Sequence, residues 1–272
     1  MTSTSASIRP AAVAGMFYPG SSTVLARDLR DLLSDSGATG VPRAKAIIAP
    51  HAGYVYSGPI AASVYAPLAA LRASIRRVVL LGPTHRVAID GLAAPSSTAF
   101  ATPLGVVPVD QEALATIRRL PQVIVSDDAH ALEHSLEVQL PFLQTVLGEF
   151  ALLPLAVGHA SAAQVAEVLD CLWGGDETLI VISSDLSHYL PYALARETDS
   201  ATARAIVALE GRIDHRQACG ATPINGLLLA ARRHGLRARL VDLRNSGDTA
   251  GDRSRVVGYG AFAFSGESDD AC

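Results

Sequence analysis

Cysteine is scarce in this chain: Cys171, Cys219 and Cys272 are the whole complement of 272 residues. An odd number at wide spacing excludes a disulfide framework and suits a reducing compartment. Long apolar runs are also missing, and no stretch approaches the roughly 18 residues that a membrane span needs. Positive charge is in deficit, with 22 Lys and Arg against 26 Asp and Glu, a net charge of -4 and a pI near 6.0. That balance leaves no basic field to draw nucleic acid or an anionic membrane. Residues Met1 to Pro10 are rich in Ser and Thr and lack the charged start and apolar stretch of a secretory signal. The expectation is a cytoplasmic protein with no nucleic-acid or membrane partner. No internal repeat and no Gly/Ser-rich linker divides the chain.

What is present is apolar: 49% hydrophobic residues, 18% charged and a mean hydropathy of +0.28, a composition that packs a core. Short apolar runs alternate with amphipathic stretches. Strands are expected at 44–49, 77–81, 151–157, 178–182, 238–243 and 256–264. Helices are expected at 59–71, 111–119, 135–147, 162–172, 192–209 and 223–234. Such alternation implies a single three-layer α/β domain over 1–272, with a mostly parallel central sheet and helices on both faces. Pro and Gly in "TPLGVVPVD" suggest a hairpin within 100–110. Residues 1–8 and 266–272 read as flexible tails.

In open α/β sheets ligands bind beyond the carboxyl ends of the strands. Three expected strands end in loops that carry histidine: "PHAGYVYSG" with His51, "GPTHR" with His85, and "SSDLSHY" with Asp185 and His188. If those strands are parallel neighbours, the loops converge. His51 and His85 then make a pair of metal ligands, since neutral imidazole is the commonest metal-binding side chain. Each alone reads equally as a loop histidine bonded to backbone. Glycines 53 and 58 flank Tyr54 and Tyr56 and permit close approach of backbone to a ligand.

Asp185 and His188 carry three readings: a carboxylate orienting a metal ligand, a general base beside the metal, or a cap on a helix starting near Leu186. His134 opens the 135–147 helix and either points at the site or caps. Cys219 precedes Gly220 and a helix start, where backbone dipoles favour thiolate, although an isolated cysteine is more often buried and inert. Cys171, on the apolar face of a helix, takes that inert reading.

The segments "GMFYP" (15–19), "PHAGYVYSGPIA" (50–61), "LGPTHR" (81–86), "EHSLEVQLPFLQ" (133–144), "SSDLSHY" (183–189) and "ACGATPI" (218–224) together resemble the Memo family, known in prokaryotes as protein B of the AmmeMemoRadiSam system. The resemblance runs over nearly the whole chain. It implies a fold similar to class III extradiol dioxygenases, which hold non-haem Fe(II) with two histidines and a glutamate. Carried across, it implies metal ligands His51, His85 and Cys219, the cysteine standing where those enzymes have the carboxylate. It places Asp185 and His188 in the same pocket, His188 at the position of a catalytic base, with His134 and Tyr54 as pocket neighbours.

A thiolate softens such a site, so Fe(II) is the expected metal, with Cu or Zn as alternatives. Ring cleavage does not follow from the fold, because function lives in the site. Two classes of function stay open. One is a metal-dependent redox enzyme or oxygenase acting on a small molecule. The other is an iron- or copper-binding protein, or a peptide-binding interaction module with a vestigial site and no turnover. The resemblance also suggests a link to radical-SAM and Ammecr-type proteins.

Overall fold

The computed structural model describes residues 7–37 and 43–266. The expected tails at 1–8 and 266–272 lie almost wholly outside the described residues, as does Cys272. In chain order the first half runs β1 (Ile8–Arg9), α1 (Ser22–Asp35), β2 (Ala46–Ala49), α2 (Tyr54–Tyr65), β3 (Arg77–Pro83), β4 (Leu92–Ala94), β5 (Ala99–Thr102), β6 (Gly105–Pro108), α3 (Gln111–Ile117), β7 (Val123–Val125) and α4 (Asp128–Ala131). The second half runs α5 (Leu140–Leu147), β8 (Ala151–Val157), α6 (Ala162–Cys171), β9 (Thr178–Ser183), β10 (His188–Leu190), α7 (Tyr192–Val207), α8 (Ala221–Arg233), β11 (Leu236–Asn245) and β12 (Val256–Gly266).

The centre of the main sheet is four parallel strands in the order β2, β9, β3, β8. Every residue of β2 and β9 is buried, so both faces of the sheet are covered there. Helix α2, backed by α1 and α5, packs on β2, β11 and β12, while α8, backed by α6, packs on β3 and β9. The sheet is mixed rather than mostly parallel. Antiparallel β12 closes one side of the parallel block and antiparallel β4 the other, with β10 and β11 on β12 and β7 beside β4. Strands β5 and β6 form the expected hairpin, joined by β1 in a separate small sheet. Among the described residues no helix is long and apolar enough to cross a membrane.

Two helix starts differ from expectation by five residues. Helix α2 begins at Tyr54 because the Phe17 carbonyl accepts the Tyr54 N–H at 2.8 Å, a partner 37 positions away along the chain. Helix α5 begins at Leu140, where Pro141 fits the first turn without losing an N–H bond. The preceding stretch makes a short 3₁₀ turn, Glu137–Gln139, and leaves 133–136 as loop.

His130 is a buried histidine of the fold, not of the site. One ring nitrogen lies 2.9 Å from the Ala93 carbonyl, and burial pushes its pKa down to about 4. A base lowered from 6.5 stabilises the fold fully above its ordinary range and loses that contribution as pH falls towards 4. The expected loss is on the order of 3 kcal/mol at 1.36 kcal/mol per unit. Urea titrations of wild type and His130→Gln between pH 7.5 and 4 check this. The variant should lose less stability over that window, and parallel curves would contradict it.

Candidate metal centre

Strand order places the loop after β9 between the loops after β2 and β3. The Asp185 loop therefore lies between His51 and His85. Asp185, 4% exposed, accepts the His51 backbone N–H at 2.7 Å and ties two loops together. No helix follows it: strand β10 starts at His188, so the capping reading is not what the chain does here. Burial raises the Asp185 carboxyl above its ordinary range, with the His51 N–H acting in the opposite direction.

Proton accounting sets the tautomer of His51. The Ser183 hydroxyl donates to the Ser135 carbonyl at 2.5 Å and accepts from the Gln139 side-chain amide at 2.8 Å. Its oxygen, 2.9 Å from His51 Nδ1, is therefore left to accept from Nδ1–H. The lone pair of His51 then sits on Nε2. Burial, followed by the charges of His134, His85 and His188, holds this imidazole well below its ordinary pKa, so it is neutral.

Glu133 does the same for His85. Its carboxylate takes the His85 backbone N–H at 2.5 Å and lies 2.8 Å from Nδ1. Burial alone would raise this carboxyl; the bonds and charge from His85 and the Ser135 N–H outweigh it and hold Glu133 at about 2. An ionised acceptor fixes the proton on Nδ1 and leaves Nε2 bare, as in carboxylate–histidine pairs at metal sites. Replacing Glu133 by Gln is expected to weaken metal binding 10- to 100-fold, the usual range for such partners. Competition titration with a chromophoric chelator reads this, and an unchanged affinity would count against the pairing.

His134 completes a cluster. Its ring stacks on His85 at 4.5 Å between centroids and meets His51 edge-on at 5.4 Å. One ligand atom from each of His51, His85 and His134 lies within 4.8 Å of the other two. Burial pushes His134 down to about 4; Glu133 opposes this, and His85 and Arg86 add to it. Phe17 packs against the same ring at 4.7 Å.

Cys219 approaches from the start of α8. Its sulfur is 3.3 Å from His51 Nε2. Two donors of one ion, bonded at roughly 2.3 Å (S) and 2.0–2.1 Å (N), would sit about 3.5 Å apart in a tetrahedral arrangement. Gly220 makes this approach possible, because a Cβ there would lie 2.7 Å from the Ser184 side chain. The thiolate expected from the helix start is not favoured in the metal-free protein. Burial and the Asp185 charge push the thiol up to about 12, against the weaker pull of nearby hydrogen bonds.

A cavity of about 910 Å³ opens beside these groups. His51, His85, His134, Asp185 and His188 all line it. His188 gives Nδ1 to the Leu186 carbonyl at 2.8 Å, which leaves Nε2 without that proton.

The Memo-like protein family model matches residues 9–263. This chain belongs to the Memo family. MEMO1 family proteins from Aquifex aeolicus, Ignicoccus hospitalis and Methanosarcina barkeri are 38%, 36% and 38% identical to this Memo chain, each over 94% of it and 98–99% of their own length. A crystal structure of an uncharacterized Escherichia coli K12 protein shares the fold, with TM-score 0.52 and 14% identity over 79% of this chain and 98% of that one. The single α/β domain with its mixed sheet is consistent with the extradiol-dioxygenase-like architecture.

Within this Memo fold, His51, His85, His134, Asp185 and His188 share one cavity, with Cys219 touching His51. Tyr54 is placed elsewhere: its ring packs on Tyr18 and Phe142 and its hydroxyl donates to the Val138 carbonyl at 2.7 Å. Tyr56, two residues on, lines the cavity instead. Cys171 is exposed, not buried on the apolar face of α6, because it is the last residue of that helix. Sequence reasoning missed Ser183 and Glu133 as orienting partners, although both lie in the quoted motifs.

Proposed function

We propose that this Memo-family protein binds a transition-metal ion where the β2, β3 and β9 ends meet, and acts as a metal-dependent redox enzyme on a small molecule held in the adjoining cavity. The carrying observation is orientation: Ser183 and Glu133 each occupy a histidine Nδ1, so His51 and His85 present bare Nε2 atoms, with the Cys219 sulfur 3.3 Å from one. Those donors fit a metal. His51, His85 and Cys219 would hold it, with His134 as a further imidazole beside them. The mixed nitrogen and sulfur set suits Fe(II), Cu or Zn. A bound Fe or Cu ion supplies one-electron chemistry and open positions for a ligand.

The chain's own residues supply the rest. His188 lines the cavity with Nδ1 engaged by the Leu186 carbonyl, so Nε2 is the atom that would exchange a proton with a bound molecule. Asp185 fixes the His51 loop. A roomy cavity with such a base favours turnover over storage, since storage uses neither.

The test counts protons. Binding through Cys219 must expel the thiol proton, because only thiolate ligates. Zn(II) added to metal-free protein in weak buffer at pH 8.5, above the ordinary imidazole range, should release about one proton per ion. Affinity should then rise with pH. Release near zero, unchanged in Cys219→Ser, would assign the ion to the three histidines instead, and absence of binding would end the proposal.

A further inference from the structure

The cavity beside the histidines has a second chemistry at its mouth. Arg86 and Arg255 both line it and both are solvent-exposed. Among the described residues, neither guanidinium forms an ion pair or a hydrogen bond to a carboxylate. Arg9, Arg77, Arg233 and Arg244 each grip an acid elsewhere in the fold, in a chain whose net charge is -4. What sets Arg86 and Arg255 apart is that both line the one cavity that holds the histidines.

The acids of the cavity wall form no ion pair with either arginine. Asp252 accepts the Ser254 N–H at 2.7 Å and hydroxyl at 2.5 Å, and buried Asp185 accepts the His51 N–H.

Arg255 is also held in place. The ring of Tyr189 lies 5.2 Å from its guanidinium carbon. Tyr189 has φ of +58°, in the left-handed region that a tyrosine rarely occupies, and its side chain is 63% exposed at the residue level. Left-handed backbone at a bulky residue is a strained state that persists only when surroundings impose it. Here it carries an exposed ring across Arg255 at the cavity wall, a cation–π contact that orders a flexible side chain. Phe17 and Tyr56 supply further aromatic surface to the same cavity.

We propose that the cavity takes a small molecule bearing an oxyanion, carboxylate or phosphate, and that Arg86 and Arg255 receive it while the rest of the molecule reaches the histidine cluster. Guanidinium presents paired N–H donors matched to such a group. Tyr189 is a positioning residue acting through Arg255. The reading rests on the proposed metal site, since it names the substrate class of that site.

Isothermal titration of the zinc-loaded protein uses benzoate, inorganic phosphate and neutral benzamide as probes. At least one anion should bind tenfold or more tightly than benzamide; which one distinguishes a carboxylate from a phosphate ligand. Arg86→Met and Arg255→Met should each weaken that anion at least tenfold. Tyr189→Gly, which relieves the strained φ, should weaken it while leaving thermal stability equal or higher, and Tyr189→Phe should restore it. Zn(II) affinity should stay unchanged in all four variants, which also shows that they fold. Anion affinity equal to that of benzamide, or anion binding that survives both arginine changes as a direct metal ligand would, overturns the proposal. Arginine-dependent anion binding in protein that takes up no zinc would instead sink the metal reading and leave this one standing.

Discussion

His51→Ala is expected to lower metal affinity more than about 100-fold, beyond the range of an indirect effect. His51, like His85, belongs to both donor sets that the geometry allows. Its Nε2 is 3.3 Å from the Cys219 sulfur, and its ring lies 5.3 and 5.4 Å from those of His85 and His134. Whichever third donor an ion takes, losing His51 removes a direct bond. His188→Ala should instead change affinity by less than about tenfold. His188 lines the cavity, but it is not in the group whose donor atoms share one small sphere. Calorimetric titration of both variants with Zn(II) or Fe(II) decides. Equal and complete loss in both would make His188 a ligand and leave no free base in the pocket.

Arg9→Met is expected to cost about 3–5 kcal/mol, the usual penalty for stranding one member of a buried ion pair. Arg9 is 4% exposed and pairs with Glu137, which is fully buried. The guanidinium also donates to the carbonyls of Glu133 at 2.7 Å and His130 at 3.0 Å. Glu137 in turn accepts from the Ala12 and Val13 N–H groups, at 2.7 and 3.0 Å, and from the Tyr18 hydroxyl at 2.6 Å. Removing the cation leaves a charge in the core with only neutral donors. At roughly 2–4 °C per kcal/mol for a domain of this size, melting should fall by about 10 °C. Arg9→Met with Glu137→Gln should recover part of the loss, because the double variant buries no net charge. A double variant no better than the single would show that lost packing, not stranded charge, sets the cost. The same network fastens the segment that carries Phe17 onto the His134 ring, so metal affinity should be followed alongside.

How far the chain could be read in advance follows the range of the forces involved. Strands β2, β3, β8 and β9 were legible because a strand buried on both faces must be apolar throughout, and "AIIA", "RVVLL", "ALLPLAV" and "TLIVI" are short runs of that kind. The rule that parallel strands bind at their carboxyl ends then picked out His51, His85 and His188. Short strands such as β4 and β7 and helix α1 were missed. Three-residue strands carry too little periodicity to register, and α1, "STVLARDLRDLLSD", buries only Leu25 and Leu29 completely.

The site divides in the same way. Residue types, their loop positions and the motif resemblance are properties of the chain, and they named the histidines and Cys219. Strand order is not such a property: that β9 inserts between β2 and β3 depends on contacts over more than a hundred positions. Only that insertion brings Ser183 under His51 and lets Asp185 hold its loop. Only the folded loop at 133–136 sets Glu133 against His85 and turns His134 into the cluster, one of the two placements that the chain alone left open. Tyr56 rather than Tyr54 lines the cavity because α2 packs Tyr54 inward against Tyr18 and Phe142, segments distant in sequence. Local sequence determined what chemistry the chain carries. Tertiary structure decided which groups share a proton, which share a cavity and which are kept from water, because those are matters of distances between segments that the sequence does not order.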